Sequence, residues 1–293
     1  MPDATMTGRS VRDVMASVAE LLSGAGIPEP RAEARDIVAA VLDMPRLWPS
    51  LHADEPLDER ARADAVRAAR HRAAGAPFAY AVGRAAFRHL TLDVDERVLI
   101  PRQETEQLVE AVLELGGDWD GIAVDLGTGS GAIALSLASE ARFTRVVATD
   151  VSEGALTVAR DNAVRLAAAL NTPVEFRQGS LLAPLGPERV RVIVSNPPYV
   201  SHDEAAELPA GVRDWEPPVA LFSGGSGMDA TAAIIRGAAA HLEPRGLLAL
   251  EVDARRAALA AELALACGFY EDVSVRLDLA GRERILLARR IER

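Results

Sequence analysis

The chain reads as an α/β protein in which a small helical bundle precedes a Rossmann-like, mostly parallel sheet with an antiparallel carboxyl-terminal edge. Three observations carry this. Residues 10–75 keep helical spacing only, strand and helix patterns alternate from about residue 120 onward, and a glycine-rich turn separates the first strand of that alternation from its helix.

Ser10 is placed to cap a first helix whose apolar residues Val11, Val14, Met15, Val18, Leu21 and Leu22 fall three and four apart, with Gly24 and Gly26 closing it. A second helix runs from about Glu29 through Ala34, Ile37, Val38, Val41 and Leu42 to Pro45. A third covers residues 57–74 and stops before Gly75 and Pro77. Three amphipathic helices around one small core make residues 1–76 a bundle. Its arginine cluster (Arg60, Arg62, Arg67, Arg70, Arg72, with His71) reads as a solvated face balanced by Asp58, Glu59 and Asp64. His52 and His71 read as lone surface residues.

Between residues 77 and 100 the period changes. Phe87, Leu90, Leu92 and Val94 approach strand alternation, and Gly83 and Asp95-Glu96-Arg97 are turn signals, so this stretch reads as a hairpin linker. A helix opens at Pro101-Arg102-Gln103-Glu104-Thr105-Glu106, whose charged residues read as a salt-bridged helix start. Residues 101–293 then form the α/β domain, with elements expected at 122–126, 132–140, 145–149, 153–170, 173–177, 190–195, 229–242, 246–252 and 254–267. Residues 270–277 and 284–288 follow without an intervening helix and are expected to pair antiparallel at one edge.

Composition excludes several classes. The 293 residues are 49% hydrophobic, enough for a sizeable core, and no apolar run reaches the length of a membrane span. The first ten residues are polar and carry no signal-peptide pattern, so the expected setting is cytoplasmic. Cys267 is the only cysteine, which removes a disulfide framework and a cysteine metal site, and its apolar neighbours suggest a buried thiol. A net charge of −11 disfavours a broad grip on nucleic acid.

The turn is Asp125-Leu126-Gly127-Thr128-Gly129-Ser130-Gly131. Alternate glycines let backbone approach a ligand closely, and the helix behind them presents its N-terminal N–H groups. Asp150 ends the next strand, about 20 residues on, where a carboxylate accepts both hydroxyls of a ribose. Asp150 as a helix cap with Ser152 is the competing reading. The Asp125 charge would repel a pyrophosphate yet tolerate a zwitterionic amino acid. Gly127, Thr128, Gly129, Ser130, Gly131 and Asp150 therefore point to S-adenosylmethionine rather than NAD.

A second motif, Asn196-Pro197-Pro198-Tyr199, ends the apolar strand at 190–195. The prolines remove two N–H donors and fix φ, leaving the Asn196 side chain and the carbonyls of Asn196 and Pro197 as rigid acceptors. Two acceptors side by side suit a planar –NH2 group. Asp125, Asp150, Ser180 and Asn196 all fall at strand carboxyl ends, where open α/β sheets bind ligands, so the two motifs belong to one cleft.

With these motifs in order, the chain resembles the HemK/PrmC family of protein-(glutamine-N5) methyltransferases. The resemblance runs from Pro77-x-x-Tyr80-x-x-Gly83 with Phe87, through Ile100-Pro101-Arg102, the glycine-rich turn and Asn196 to Tyr199, to Trp215-Glu216-Pro217, Gly224-Gly225-Ser226-Gly227 and Asp278-x-x-Gly281-x-x-Arg284. It implies a class I S-adenosylmethionine-dependent methyltransferase domain whose partners are class 1 peptide chain release factors. The residues 1–76 would bind the substrate protein, and a monomer with no stable nucleic-acid or membrane binding is expected. Asn196 and Pro197 would accept the two hydrogens of the Gln amide in a Gly-Gly-Gln motif, with Pro198 holding them rigid and Tyr199 flanking the amide. Ser180 or Leu181 would lie near the adenine. The chain departs from the family at Gln103, where Pro is usual, at Gly179-Ser180-Leu181-Leu182, where an acidic or aromatic pair is common, and at Glu251-Val252-Asp253, which lacks a Gly. The alternatives are a glutamine methyltransferase of a ribosomal protein, and an adenine-N6 methyltransferase, whose –NH2 poses the same geometry but which the net charge and lack of a basic recognition domain oppose. A non-catalytic binding module would require a damaged loop or acceptor motif.

Overall fold

A computed structural model describes residues 10–116 and 120–292; the polar stretch 1–9 lies outside the described residues. The chain divides into two compact units at Arg84/Ala85.

In the first unit, α1 (Val11–Gly24) starts on a full capping box. The Ser10 side chain accepts from the Asp13 backbone N–H, and the Asp13 carboxylate accepts from the Ser10 N–H. Next come α2 (Pro30–Val41), the single turn α3 (Trp48–Leu51), α4 (Glu59–Ala73) capped by Asp58, and the short α5 (Phe78–Val82). The apolar stripes close one core around Val14, Val18, Leu22, Ile37 and Val38. The arginine face of α4 is partly balanced as expected: Arg67 pairs with Asp64 at 2.6 Å and Arg62 with Glu59. Arg72 instead reaches Glu33 of α2. His52 is not a lone surface residue. It stacks on Trp48 with ring centroids 4.3 Å apart and bonds the Trp48 carbonyl through Nδ1 at 2.9 Å. His71 is partnered too. The α3 and α5 turns were missed because each is too short to show a period.

β1 (Arg84–Phe87) and β2 (Leu90–Asp93) pair as a two-stranded sheet. The turn between them holds Arg88 at φ 51. Its guanidinium donates to Glu110 and Glu140 at 2.7 Å and to the Glu106 carbonyl at 3.1 Å, which fastens the hairpin to α6 (Gln103–Gly116).

After α6 come β3 (Ile122–Leu126), α7 (Ala132–Glu140), β4 (Arg145–Asp150), α8 (Glu153–Arg165), β5 (Val174–Gln178) and β6 (Val190–Ser195). Two short turns, α9 (Ala210–Arg213) and α10 (Pro218–Leu221), lead to α11 (Asp229–Ala238), β7 (Leu242–Glu251), α12 (Ala257–Ala266), β8 (Tyr270–Leu277) and β9 (Glu283–Arg290). The sheet order is β5-β4-β3-β6-β7-β9-β8, parallel except for β9 against both its neighbours. The antiparallel edge is thus as expected, with the last strand inserted inside β8. The core lies where Val124, Leu126, Ile193, Leu248 and Leu250 meet Ile234, Ile235 and α12, and each fully buried Leu or Ile contributes roughly 1.5–3 kcal/mol.

Boundaries differ where local chemistry hides them. β7 begins at Leu242 rather than 246 because Glu243-Pro244-Arg245-Gly246 forms a bulge inside the strand, with Arg245 at φ 59 and the pairing register jumping between Val190 and Val192. α8 stops at Arg165, and residues 167–169 form a separate 3-10 turn. Cys267 caps the end of α12 and is only half-buried.

Asn162 of α8 is fully buried and ties three segments together. Its Oδ1 accepts from the Asp93 N–H at 2.7 Å, while Nδ2 donates to the carbonyls of Asp93 at 2.9 Å and Ser130 at 3.0 Å. Asn162→Ala strands these groups without partners and should lower unfolding stability by roughly 2–5 kcal/mol in urea titrations; Asn162→Asp, which cannot donate, should fare no better.

Candidate active site

The switch in strand order on either side of β3 leaves a crevice at the carboxyl ends of β3, β4 and β6. Register decides what enters it. Leu126 of β3 pairs with Thr149 of β4 and with Ser195 of β6, so Gly127, Asp150 and Asn196 leave the sheet at one level. Cross-links hold that level: the Ser195 hydroxyl donates to the Leu126 carbonyl at 2.6 Å, and the N–H groups of Gly127 and Thr128 both donate to the Thr149 carbonyl at 2.8 Å.

The glycine loop runs through φ 73 at Gly127 and φ 54 at Gly129, a conformation open to glycine at little cost. A Cβ at either position would meet nothing within 4 Å, so the space beside the loop is clear. Gly131 differs. A Cβ there would touch Leu135 and Ala159 at 3.0–3.4 Å, so this glycine lets α7 pack rather than facing a ligand.

Asp125 is fully buried. Its Oδ2 accepts from the Thr128 hydroxyl at 2.6 Å and from the Ala134 N–H at 3.1 Å, while Oδ1 has no partner. The α7 N-terminus, expected to be open to a ligand, thus already takes the chain's own carboxylate. Burial pushes the Asp125 pKa up to about 7, with the nearby Asp150 adding to the shift, so the full negative charge expected beside the turn is only partly present at neutrality.

Asp150 accepts from the Gly129 N–H at 3.0 Å through Oδ2 and from the Ser152 N–H at 2.9 Å through Oδ1. It does not cap α8; Ser152 does, through Ala155. Burial raises the Asp150 pKa. Beside it opens a cavity of about 390 Å³ lined by Gly127, Gly129, Asp150, Ser180, Leu181 and Asn196, among others. Pro198, Val219, Phe222 and Asp229 line the same cavity. A smaller adjoining pocket takes in Thr128, Ser130, Thr105 and again Asn196. The structure therefore gathers most of the expected residues around one space, with Asn196 shared by both compartments. Pro197 is buried, and Gly131 and Tyr199 are absent from both walls.

Asn196 Nδ2 donates to the Thr105 hydroxyl at 3.0 Å, and Thr105 donates to Glu251 Oε2 at 2.7 Å. Tyr199 turns its hydroxyl to Glu251 Oε1 at 3.4 Å, with the Arg284 guanidinium 6.0 Å from the ring centroid. Burial and the Glu251 charge hold the Tyr199 phenol well above its ordinary pKa. Among the described residues neither Asn196 Oδ1 nor the Pro197 carbonyl accepts a hydrogen bond.

The Arg102, Glu104 and Glu106 trio is not a local helix-start network. Arg102 clamps the buried Glu216 at 2.6 Å, Glu104 meets Arg282 at 3.3 Å, and Glu106 accepts from the Arg88 N–H at 3.0 Å. Burial raises the Glu216 pKa against the opposing pull of Arg102. Thr105 and Glu251 were overlooked as site residues. The available signal was a carboxylate directly after the apolar run 247–250. Among the described residues no group of three or more His, Cys, Asp or Glu side chains is placed to hold a metal, and no helix is long and apolar enough to cross a membrane.

A seven-stranded sheet with this order, a glycine loop after its first strand in the chain and an acid ending the next defines a class I methyltransferase. Residues 86–210 match the methyltransferase small domain, and residues 13–83 match the PrmC N-terminal domain. A solved methyltransferase from Pyrococcus furiosus shares the fold, with a TM-score of 0.51 at 19% identity over 68% of this chain and 88% of its own. The release factor glutamine methyltransferase of Moorella thermoacetica is 42% identical over 97% of this chain and 99% of its own length. That of Cereibacter sphaeroides is 41% identical over 94% and 97%. The chain belongs to the release factor glutamine methyltransferase family.

The Asp125 pKa near 7 lies above that of a carboxyl in the unfolded chain, so its contribution to stability is complete below about pH 4 and is lost as pH rises through about 7. Asp125→Asn removes this titration. The stability of the variant relative to the parent should rise by roughly 2–4 kcal/mol between pH 5 and pH 8, read from urea unfolding at several pH values. A pH-independent difference would place the Asp125 pKa in the ordinary carboxylate range.

Proposed function

We propose that this chain methylates the side-chain amide nitrogen of the Gln in the Gly-Gly-Gln motif of class 1 peptide chain release factors, with S-adenosylmethionine as donor. The observation that carries the reading is Asn196, which lines both the cavity of the glycine loop and its smaller neighbour and whose Oδ1, like the carbonyl of the adjoining Pro197, accepts no hydrogen bond among the described residues. The residues present fit the donor. The space beside Gly127 and Gly129 is clear, Asp150 would offer its carboxylate to a ribose, and Ser180 and Leu181, which line the same cavity, would lie against the adenine. Gly127, Thr128, Gly129 and Ser130 would hold the methionine end, with Gly131 acting through the packing of α7. Bound there, the donor supplies a methyl group activated by a sulfonium.

The chain's own task is alignment. A carboxamide nitrogen is a poor nucleophile because its lone pair is delocalised into the carbonyl. Accepting both of its hydrogens at fixed points turns that lone pair out of conjugation and aims it. Pro197 and Pro198 keep the points fixed, and no strong base is needed, since the methylated nitrogen sheds its extra proton to water. Tyr199 supports the corner through Glu251. We assign substrate-protein docking to residues 1–76, the link to 77–100 and catalysis to 101–293, in a monomeric cytoplasmic enzyme without stable nucleic-acid binding.

Mass spectrometry of a class 1 release factor after incubation with the enzyme and donor should find one added methyl on the Gln of Gly-Gly-Gln, and none on its Gln→Ala variant. A methyl found instead on a ribosomal protein or on duplex DNA would reassign the substrate. Asn196→Ala should lose at least about 100-fold in turnover while binding the donor with near-parental affinity in calorimetry. Asp150→Ala should weaken donor binding by roughly 10–100-fold, the worth of hydrogen bonds to a charged acceptor.

A further inference from the structure

We propose that Thr105 and Glu251 act as positioning residues that fix which end of the Asn196 carboxamide faces the substrate. The inference rests on the functional reading above and adds two residues to it.

An asparagine amide is nearly symmetric in shape but opposite in polarity at its two ends. With Oδ1 toward the substrate, Asn196 accepts a hydrogen from the substrate –NH2. Rotated by half a turn it would present its own N–H groups to that –NH2, donor against donor, and the corner would repel what it must bind. Packing alone distinguishes these states poorly, so a polar partner must choose between them.

The partner is a chain with a fixed direction. Glu251 ends β7, where Leu250 pairs with Ser195 of β6, so Glu251 and Asn196 are the next residues on adjacent strands. The carboxylate is 1% exposed. Burial raises its pKa to about 6, with Thr105 and Arg284 pulling the other way. Both of its oxygens accept, Oε2 from the Thr105 hydroxyl and Oε1 from the Tyr199 hydroxyl, so it has no proton to return to Thr105. The single Thr105 proton must therefore go to Glu251 Oε2, at 2.7 Å. What Thr105 Oγ1 has left for Asn196 is a lone pair, and a lone pair demands an N–H; Nδ2 lies there at 3.0 Å. A flipped Asn196 would set Oδ1 against that lone pair. Thr105 has little freedom to answer otherwise, being 4% exposed in the first turn of α6. The buried charge thus reaches the substrate corner as a choice of orientation, without touching the substrate.

Thr105→Val keeps shape and burial but removes the relay, whereas Thr105→Ser keeps the hydroxyl. With release factor as substrate, Thr105→Val should lower kcat by roughly 10–100-fold, with KM for the donor and for the release factor within about threefold of the parent, and Thr105→Ser should recover most of the loss. The parent enzyme without donor gives a second readout by NMR. Hydrogen exchange of the Asn196 side-chain NH2 should be slow, and should speed up at least about tenfold in Thr105→Val but not in Thr105→Ser. Equal turnover and equal exchange in all three proteins would overturn the proposal, as would a Thr105→Ser no better than Thr105→Val. If Thr105→Val does not fold, Glu251→Gln carries the test, because its amide can address Thr105 with either end. A kcat reduced at least about fivefold at unchanged KM supports the proposal, and an unchanged kcat overturns it. Should the parent enzyme itself leave the release factor unmodified, the functional reading fails first, and the NMR exchange comparison still decides the orientation of Asn196.

Discussion

Register among β3, β4 and β6 is the constraint on which everything at the site depends. Slipping β6 by a single residue against β3 would send Asn196 to the opposite face and bury a polar side chain in the core, because strand side chains alternate. The chain guards against that slip with more than ladder hydrogen bonds. Ser195, fully buried and directly before the acceptor motif, spends its hydroxyl on the Leu126 carbonyl, directly before the glycine loop. The Thr149 carbonyl takes two N–H groups from the loop just before Asp150. Each of the three functional strand ends is thus tied to a neighbour one residue before its chemistry begins.

The outer wall of the cavity is held differently, by charge. Residues 201–227 contain no long element, only turns, and supply Pro217, Val219, Ala220 and Phe222 to the cavity. Arg102 grips the buried Glu216, and Arg256 donates to Glu204 at 2.7 Å and to the Ser226 carbonyl at 2.6 Å. Removing one partner of a buried pair leaves an uncompensated charge, at a cost of roughly 3–5 kcal/mol, so these clamps define the wall although they add little net stability.

The layers of the fold were legible from periodicity. The glycine loop and Asn196 to Tyr199 were legible from residue types that cost a core too much to be there by accident. What stayed hidden was pairing across long separations. Arg102 and Glu216 stand 114 residues apart and Thr105 and Glu251 stand 146 apart, and neither pair follows a helical or strand period. Arg102, Glu104 and Glu106 do not form the expected local network for that reason: neighbours in sequence around the start of α6, they reach Glu216, Arg282 and Arg88 in three different segments. The bulge in β7 was hidden in another way. Glu243-Pro244-Arg245-Gly246 has the composition of a turn, and only the surrounding ladder makes it part of a strand.

Two of the strand ends at the site carry a fully buried carboxylate, Asp125 on β3 and Glu251 on β7, and both are pushed toward the protonated form by burial. An amide or apolar residue of equal size at either position would remove the desolvation penalty. Their partners explain the retention. Asp125 takes the Ala134 N–H and the Thr128 hydroxyl, which pins the glycine loop to the start of α7. Glu251 takes the hydroxyls of Thr105 and Tyr199, which pins both sides of the acceptor corner. In each case a strongly accepting oxygen at a rigid strand end sets the direction of hydroxyl protons on a less regular segment. A neutral amide could donate as readily as accept and would leave that direction open. Stability given up at the two strand ends therefore reappears as a single orientation of the loop and of Asn196, the property a reaction governed by alignment needs most.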